Sequence, residues 1–445
     1  MMSSETRSRH AGTFEAGLNF MKKLLFVHNN FPAQFLHAAQ ALASEPGVKL
    51  AAIGTQTARP MSGVELMKYS VSDPDVAATH PFARRFDLEC RRAEEVLYAA
   101  SSLSSSGFVP DIILVHPGWG EALPLRSIFP KARLVVYCEY FYRAERQDKG
   151  FDSEFPLTGV DGDVGLQLKN AATLLALVDC DGAISPTQWQ RSTFPQEFQP
   201  KIKVIHEGVD VSKAKPSSDA KLRLRSGRVL TKADHVVTFV ARNFEPVRGF
   251  HIFTRALPRI LAAHPKTQIV FVGGDGHPYG APPPPGQSWK AIFFNEIADR
   301  VDKTRIHFAG HLTHAEFLRA LQISSAHVYL TYPFVLSWSL LEAMSTGCLV
   351  IASATPPVEE VINAENGILV PFFDVDQLAD RVIEALRHPR RFKALRARAR
   401  ATIVEDFDVR RICLPRLFDY LGLDLTDRAA ESSDRALVFT DEEPN

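Results

Sequence analysis

Two arginines six residues apart, Arg242 and Arg248 in ARNFEPVRG, follow an apolar run that reads as a β-strand. Guanidiniums at a strand's carboxyl end can grip a diphosphate through paired hydrogen bonds and neutralise a departing phosphate. The same pair could instead be surface arginines bonded to Glu245 or another neighbour. A second candidate is 330–351, LTYPFVLSWSLLEAMSTGCLVI, read as strand, Pro-containing loop, Ser-initiated helix over 337–345, turn at Gly347 and strand. Amides at such a helix start lack intrahelical partners and sit at the positive end of the dipole, so they attract anions. Glu342, placed in the first turn, could accept hydrogen bonds from a diol beside that anion. It could equally close a capping box from Ser339 and need no ligand.

Gly273-Gly274-Asp275-Gly276 follows another strand, where Gly lets a ligand approach the backbone; a simple turn is the competing account. It is not the GxGxxG fingerprint, which disfavours a nicotinamide cofactor. His116 ends a further apolar run and would face a cleft, either as a structural hydrogen-bonder or beside the reacting atoms. Asp161-Gly162-Asp163 has the spacing of a metal-binding carboxylate pair but no second ligand cluster, so it reads as a helix start and no metal site is assigned.

Strands alternating with helices must position these groups. In the first half, strands are expected at 24–28, 48–54, 111–116, 132–138, 182–185 and 202–206, with helices to 42, over 81–103 and 164–178, and from 186. Residues 208–233 read as a linker with a short charged segment. The pattern then restarts, with strands at 235–241, 268–273, 305–309, 326–331, 349–351 and 367–370. Helices are expected at 249–263, 289–301, 314–323, and from 358 and 375. Alternation of this kind means a doubly wound parallel sheet, here twice over, with a cleft between the carboxyl ends of both sheets.

At 445 residues and 45% hydrophobic content, the chain is long enough for two such domains. Lys plus Arg equals Asp plus Glu at 51 each, which argues against nucleic acid as a bulk partner. Five scattered cysteines without a CxxC read as buried thiols in a reducing compartment. No apolar run is long enough for a transmembrane helix, and 1–20 lacks the apolar core of a secretory signal, so a cytoplasmic setting is expected. Between Arg387 and Arg400 lie seven Lys/Arg residues, a solvated helix face or else a peripheral contact with an anionic membrane.

With these parts in place, the chain resembles the family-4 glycosyltransferases, group 1 retaining enzymes of the GT-B fold. The segments that carry the resemblance are FVARNFEPVRG, QIVFVGGDG, IHFAGHL, LSWSLLEAMSTGCLVIAS, VEEVI and ENGILVPFFDVDQLADRV, with ISPTQWQ and IHEGVD in the first half. The resemblance implies an α/β chain of two Rossmann-like, doubly wound parallel-sheet domains facing a cleft. It implies transfer of a sugar from a nucleotide-diphosphate sugar to a glycan or lipid-linked acceptor, as in polysaccharide biosynthesis, with no cofactor or metal. By the same resemblance Arg242 and Arg248 hold the donor diphosphate and His116 lies close to the transferred sugar. The amides around Ser337, Trp338 and Ser339 meet the diphosphate, Gly274 lines the donor site, and Glu342 holds the ribose.

The family's earlier glutamate, eight residues before Glu342's counterpart in a Glu-x7-Glu motif, falls on Phe334, and its Gly-Phe-Gly on Val335-Leu336-Ser337. Phe334 keeps open a second reading, a catalytically degenerate GT-B protein that binds a nucleotide or glycan as a partner subunit. The expected division is a disordered extension at 1–20, an acceptor-side domain at 21–207 and a nucleotide-sugar domain at 208–404. A helix at 405–424 would return to the first domain, ahead of a disordered tail at 425–445.

Overall fold

A computed structural model of the chain describes residues 21–72, 78–143, 147–155 and 159–423. The terminal stretches expected at 1–20 and 425–445 lie outside the described residues. Most strands are short apolar runs buried on both faces, as a parallel sheet covered by helices requires. The first sheet comprises β1 (Lys22–Val27), β2 (Val48–Thr55), β3 (Val64–Tyr69), β4 (Ile112–Val115), β5 (Arg133–Tyr137), β6 (Gly182–Ser185) and β7 (Ile202–Val204). Their order is β3-β2-β1-β4-β5-β6-β7. Helices α1 (Leu36–Ala43), α2 (Arg84–Ser105), α3 (Leu125–Ile128), α4 (Val160–Leu168), α5 (Ala171–Asp179) and α6 (Gln188–Thr193) connect them.

A small antiparallel hairpin, β8 (Leu222–Arg223) with β9 (Val229–Leu230), precedes the second sheet. That sheet holds β10 (Val236–Asn243), β11 (Gln268–Gly274), β12 (Ile306–Gly310), β13 (Ser324–Tyr329), β14 (Val350–Ser353) and β15 (Ile368–Val370). Their order is β12-β11-β10-β13-β14-β15, again all parallel. The accompanying helices are α7 (Phe250–Ala263), α8 (Trp289–Asn295), α9 (His314–Ile323), α10 (Trp338–Ser345), α11 (Pro356–Glu359), α12 (Val375–Arg387), α13 (Lys393–Asp406) and α14 (Leu414–Leu421). In both sheets the strand order reverses beside the first strand, between β1 and β4 and between β10 and β13, and crevices open at such points.

The chain passes between the domains twice at one place. There the Val209 amide donates to Phe407 O (2.8 Å) and the Val409 amide to Val209 O (3.0 Å). Gly208 makes this contact possible: its φ is +90°, and a Cβ there would lie 2.6 Å from Val409 Cα. Past the second crossing, Leu414, Leu417, Phe418 and Leu421 of α14 pack on Leu24, Phe26, Leu114 and Val135 of the first sheet.

Two further ties join the halves. In the segment 147–155, Asp152 accepts from His251 Nε2 (3.1 Å) and Tyr332 Oη (2.6 Å), while Arg255 forks onto both oxygens of Glu154 at 2.7 Å. Glu360 accepts from the Gln188 and Trp189 amides, both at 2.7 Å, at the start of α6.

Several expectations need correction. The helix expected at 164–178 is two helices, because Asn170 turns aside to bond both the N–H and C=O of Tyr142. Strand β3 lies in a stretch to which no element was assigned, and the hairpin lies within the expected linker. The helix expected to 301 ends at Asn295. Cys90 is exposed; the other four thiols are buried and none is bridged.

Candidate active site

Between the two strand-order reversals lies a cavity of about 280 Å³. Arg242, Arg248, Ser337 and Trp338 reach it from the second domain, and Gln34, Glu139 and Glu207 from the first. Arg242 projects from the end of β10, exposed and with no hydrogen-bond or ion-pair partner among the described residues. Arg248 closes the turn before α7 and is fixed: Nη1 donates to Thr331 Oγ1 (2.9 Å) and Val335 O (3.0 Å). Its guanidinium also lies 5.4 Å over the Phe334 ring and 5.7 Å over Tyr279. Neither arginine bonds Glu245, which is buried and accepts instead from the Gly280 amide at 3.0 Å.

The start of α10 differs in detail from expectation. Ser337, not Ser339, is the cap, and its Oγ accepts from the Ser339 amide at 3.3 Å. The Ser337 amide donates to Tyr329 Oη at 2.8 Å. Two of the three amides expected for an anion are thus partnered by the protein's own hydroxyls. Glu342 lies beyond the first turn, closes no capping box and stands outside the cavity, its Oε1 2.5 Å from His314 Nε2. Gly274 is not part of the cavity wall, and a Cβ there would lie 2.6 Å from His311 Nε2.

His116 is also displaced from its expected role. It is buried, stacked on Trp119 with centroids 4.2 Å apart, and outside the cavity wall. Its Nδ1 accepts from the Gly118 amide (3.2 Å), which leaves Nε2 as the protonated nitrogen, 3.4 Å from Glu139 Oε2. Gln34 Nε2 donates to the other Glu139 oxygen at 2.7 Å. Burial pushes the Glu139 carboxyl up, but the hydrogen bonds from His116 and Gln34 hold it below the usual carboxylate range. His116 therefore orients the group that reaches the cavity, and that group is Glu139. Sequence reading missed it, although it stands two residues past the end of β5 at Tyr137, where a strand-end carboxylate is a usable signal.

Phe334 is 5% exposed and wedged between the domains, its ring 5.0 Å from Tyr140 and 5.4 Å from Tyr279. Where a polar partner for a sugar was expected, an aromatic wedge stands.

Asp152, Glu154 and His251 lie close enough together to hold an ion. Arg255, however, takes both Glu154 oxygens and puts a fixed positive charge where a cation would sit. The basic run is similarly occupied: Arg391 pairs with Glu384, Arg396 donates to Ser325 O, Arg398 pairs with Glu405 and Arg400 donates to Ser345 O. Arg396 and Arg400 thereby stitch α13 to the rest of its domain. Among the described residues no helix is long and apolar enough to cross a membrane.

Two family models match the chain, "Glycosyl transferase family 4 group" over 46–214 and "Glycosyl transferases group 1" over 224–402. A glycogen synthase of Mycobacterium tuberculosis is 27% identical over 227 residues, covering 50% of this chain and 49% of the relative, so the match spans about half of that protein's length. Among solved structures, Anabaena HepE in complex with UDP is similar with a TM-score of 0.62 at 17% identity, over 90% of this chain and 100% of that one. Sucrose-phosphate synthase from Thermosynechococcus elongatus gives 0.67 at 17% identity, over 90% of this chain and 99% of that one. The likeness shows the fold: the two facing parallel sheets are the GT-B architecture.

Proposed function

Because the chain belongs to the glycosyl transferases of group 1, we propose that it is a retaining glycosyltransferase. It would move a sugar from a nucleotide-diphosphate sugar to a hydroxyl of a glycan, lipid-linked or small-molecule acceptor. The observation that carries this reading is the shared cavity, in which Arg242 and Arg248 face the carboxylate of Glu139 across the domains. UDP bound to a protein of this fold supports a nucleotide donor. We assign the donor to the domain at 208–404 and the acceptor to that at 21–207, with cytoplasmic glycan assembly as the setting. The degenerate-subunit reading is not favoured by the family and structural matches.

In this mechanism the diphosphate lies against Arg242, Arg248 and the start of α10, where it competes with the Ser337 hydroxyl for the Ser339 amide. The bond between the anomeric carbon and the leaving phosphate oxygen breaks, and the guanidiniums stabilise the charge that develops there. The acceptor hydroxyl attacks from the same face and its proton passes to the leaving phosphate, which keeps the anomeric configuration. Glu139, held as a carboxylate, orients that hydroxyl and offsets positive charge on the sugar ring. The Phe334 wedge presents an aromatic wall where the resemblance placed a carboxylate, so contacts to the sugar's hydroxyls fall to backbone and Glu139.

A panel that includes UDP-glucose and GDP-mannose, read by release of nucleoside diphosphate and by the anomeric proton couplings of the product, tests the proposal. Expected is release from one donor with a product of unchanged configuration. An inverted product would refute retention, and no release with any donor and acceptor would refute the activity.

A further inference from the structure

Glu207 has no part in the steps above, yet it lines the same cavity from the end of the first domain, two residues before the crossing at Val209. Its side chain is only 6% exposed. Its Oε1 is buried and has no hydrogen-bond partner. Oε2 receives the indole N–H of Trp338, the first residue of α10, at 3.3 Å. Among the described residues no lysine or arginine pairs with it, as a buried carboxylate would require. His206 Nδ1 comes within 3.5 Å, but that nitrogen accepts the Gly208 amide at 2.9 Å and so turns a lone pair, not a proton, toward the acid. Burial keeps His206 neutral, its pKa lowered to about 3. A carboxyl beside a lone pair and nearly buried at the wall of this cavity is in surroundings that favour the acid over its anion.

We propose that Glu207 is a further donor-binding residue: held as the neutral acid, it gives a hydrogen bond to a phosphate oxygen of the nucleotide sugar. This rests on the donor reading above. It explains how a carboxyl can stand beside a diphosphate site without repelling it. Burial raises the carboxyl to about 7, against the hydrogen bonds from its own backbone amide and from Trp338. The other groups facing Glu207 are the neutral Cys413 thiol behind it, pushed up to about 12 chiefly by burial, and across the cavity the Arg242 and Arg248 guanidiniums and the Glu139 carboxylate. None of the neutral neighbours changes charge near neutrality. Raising the pH through about 7 therefore turns one hydrogen-bond donor into a negative charge beside the diphosphate.

Binding of UDP-glucose and GDP-mannose, neither of which changes charge on its diphosphate between pH 6.5 and 8.5, tests this by calorimetry on the full chain. If only the acid binds, the wild-type Kd weakens about 25-fold over that interval, as the protonated fraction falls. Glu207→Gln, a donor at every pH, should bind with less than about twofold change. Should that variant fail to fold, Trp338→Phe removes the side-chain hydrogen bond that favours the anion and should move the wild-type midpoint upward. A flat wild-type profile, an unchanged slope in Glu207→Gln, or a midpoint that stays or falls in Trp338→Phe overturns the proposal while leaving the donor reading intact. Absence of binding at every pH overturns the donor reading, and this proposal with it.

Discussion

Replacing each arginine of the cavity by alanine separates chemistry from architecture, because only one of the two is also a structural part. Arg242 is exposed and has no partner among the described residues, so Arg242→Ala should change stability by no more than about 0.5 kcal/mol. Arg248 donates to Thr331 Oγ1 and Val335 O and lies over two aromatic rings, so Arg248→Ala forfeits two hydrogen bonds and a stacked contact. At about 0.5–1.5 kcal/mol per net hydrogen bond, and with the site half-exposed, a loss of about 2 kcal/mol is expected. Both changes remove a positive charge from the leaving phosphate. By the scale of single oxyanion donors this costs about 2–4 kcal/mol of barrier, or about 30- to 1000-fold in kcat. Initial rates of nucleoside diphosphate release, paired with denaturant titrations of the same preparations, read both quantities. Arg242→Ala with wild-type kcat would refute the charge clamp. Arg242→Ala as destabilised as Arg248→Ala would refute the structural distinction.

The remaining predictions concern residues around the clamp. Glu139→Gln keeps the shape but loses the charge, and should lower kcat about 100-fold with little change in donor KM; a shift in KM alone would remove Glu139 from the chemistry. Phe334→Ala empties the wedge between Tyr140 and Tyr279 and should cost about 3 kcal/mol in denaturant unfolding; a cost below about 1 kcal/mol would mean that the wedge does not hold the domains. Glu360→Ala removes an exposed carboxylate from two α6 amides. It should weaken domain closure by about 1 kcal/mol, raising donor KM about fivefold and the small-angle scattering radius with it. An unchanged radius would place that tie outside the closing motion.

Arg242 was legible because it ends an apolar strand, and Arg248 and the helix start because they lie in loops that follow such strands, a local pattern that fixes which end of the sheet a side chain leaves. Glu139 was hidden for the opposite reason. It sits in an unbroken aromatic and apolar stretch, and the groups that define it, His116 and Gln34, are 23 and 105 residues away. Glu207 lies at a domain exit, where burial is decided by the docking of α10 and α14, which no window of sequence contains. Glu342 was misplaced by two residues of capping: once Ser337 takes the cap, the carboxylate passes beyond the first turn and meets His314. Strand β3 escaped notice because an edge strand alternates polar with apolar and carries no continuous apolar run.

The doubled crossing at Val209 and Val409 has a mechanical meaning. A single linker is a universal joint, free to bend in two directions and to twist. Two chain segments laid side by side and hydrogen-bonded to each other act as a two-ply ribbon, soft to bending across its thin dimension and stiff to torsion and shear. With Gly208 pressed against Val409, the plies cannot slide without a backbone collision. Such a ribbon favours opening and shutting about one axis over twisting. A closure of that kind would return Arg242 and Arg248 to the same register against Glu139, with the hinge guiding the site's alignment before any ligand contact forms.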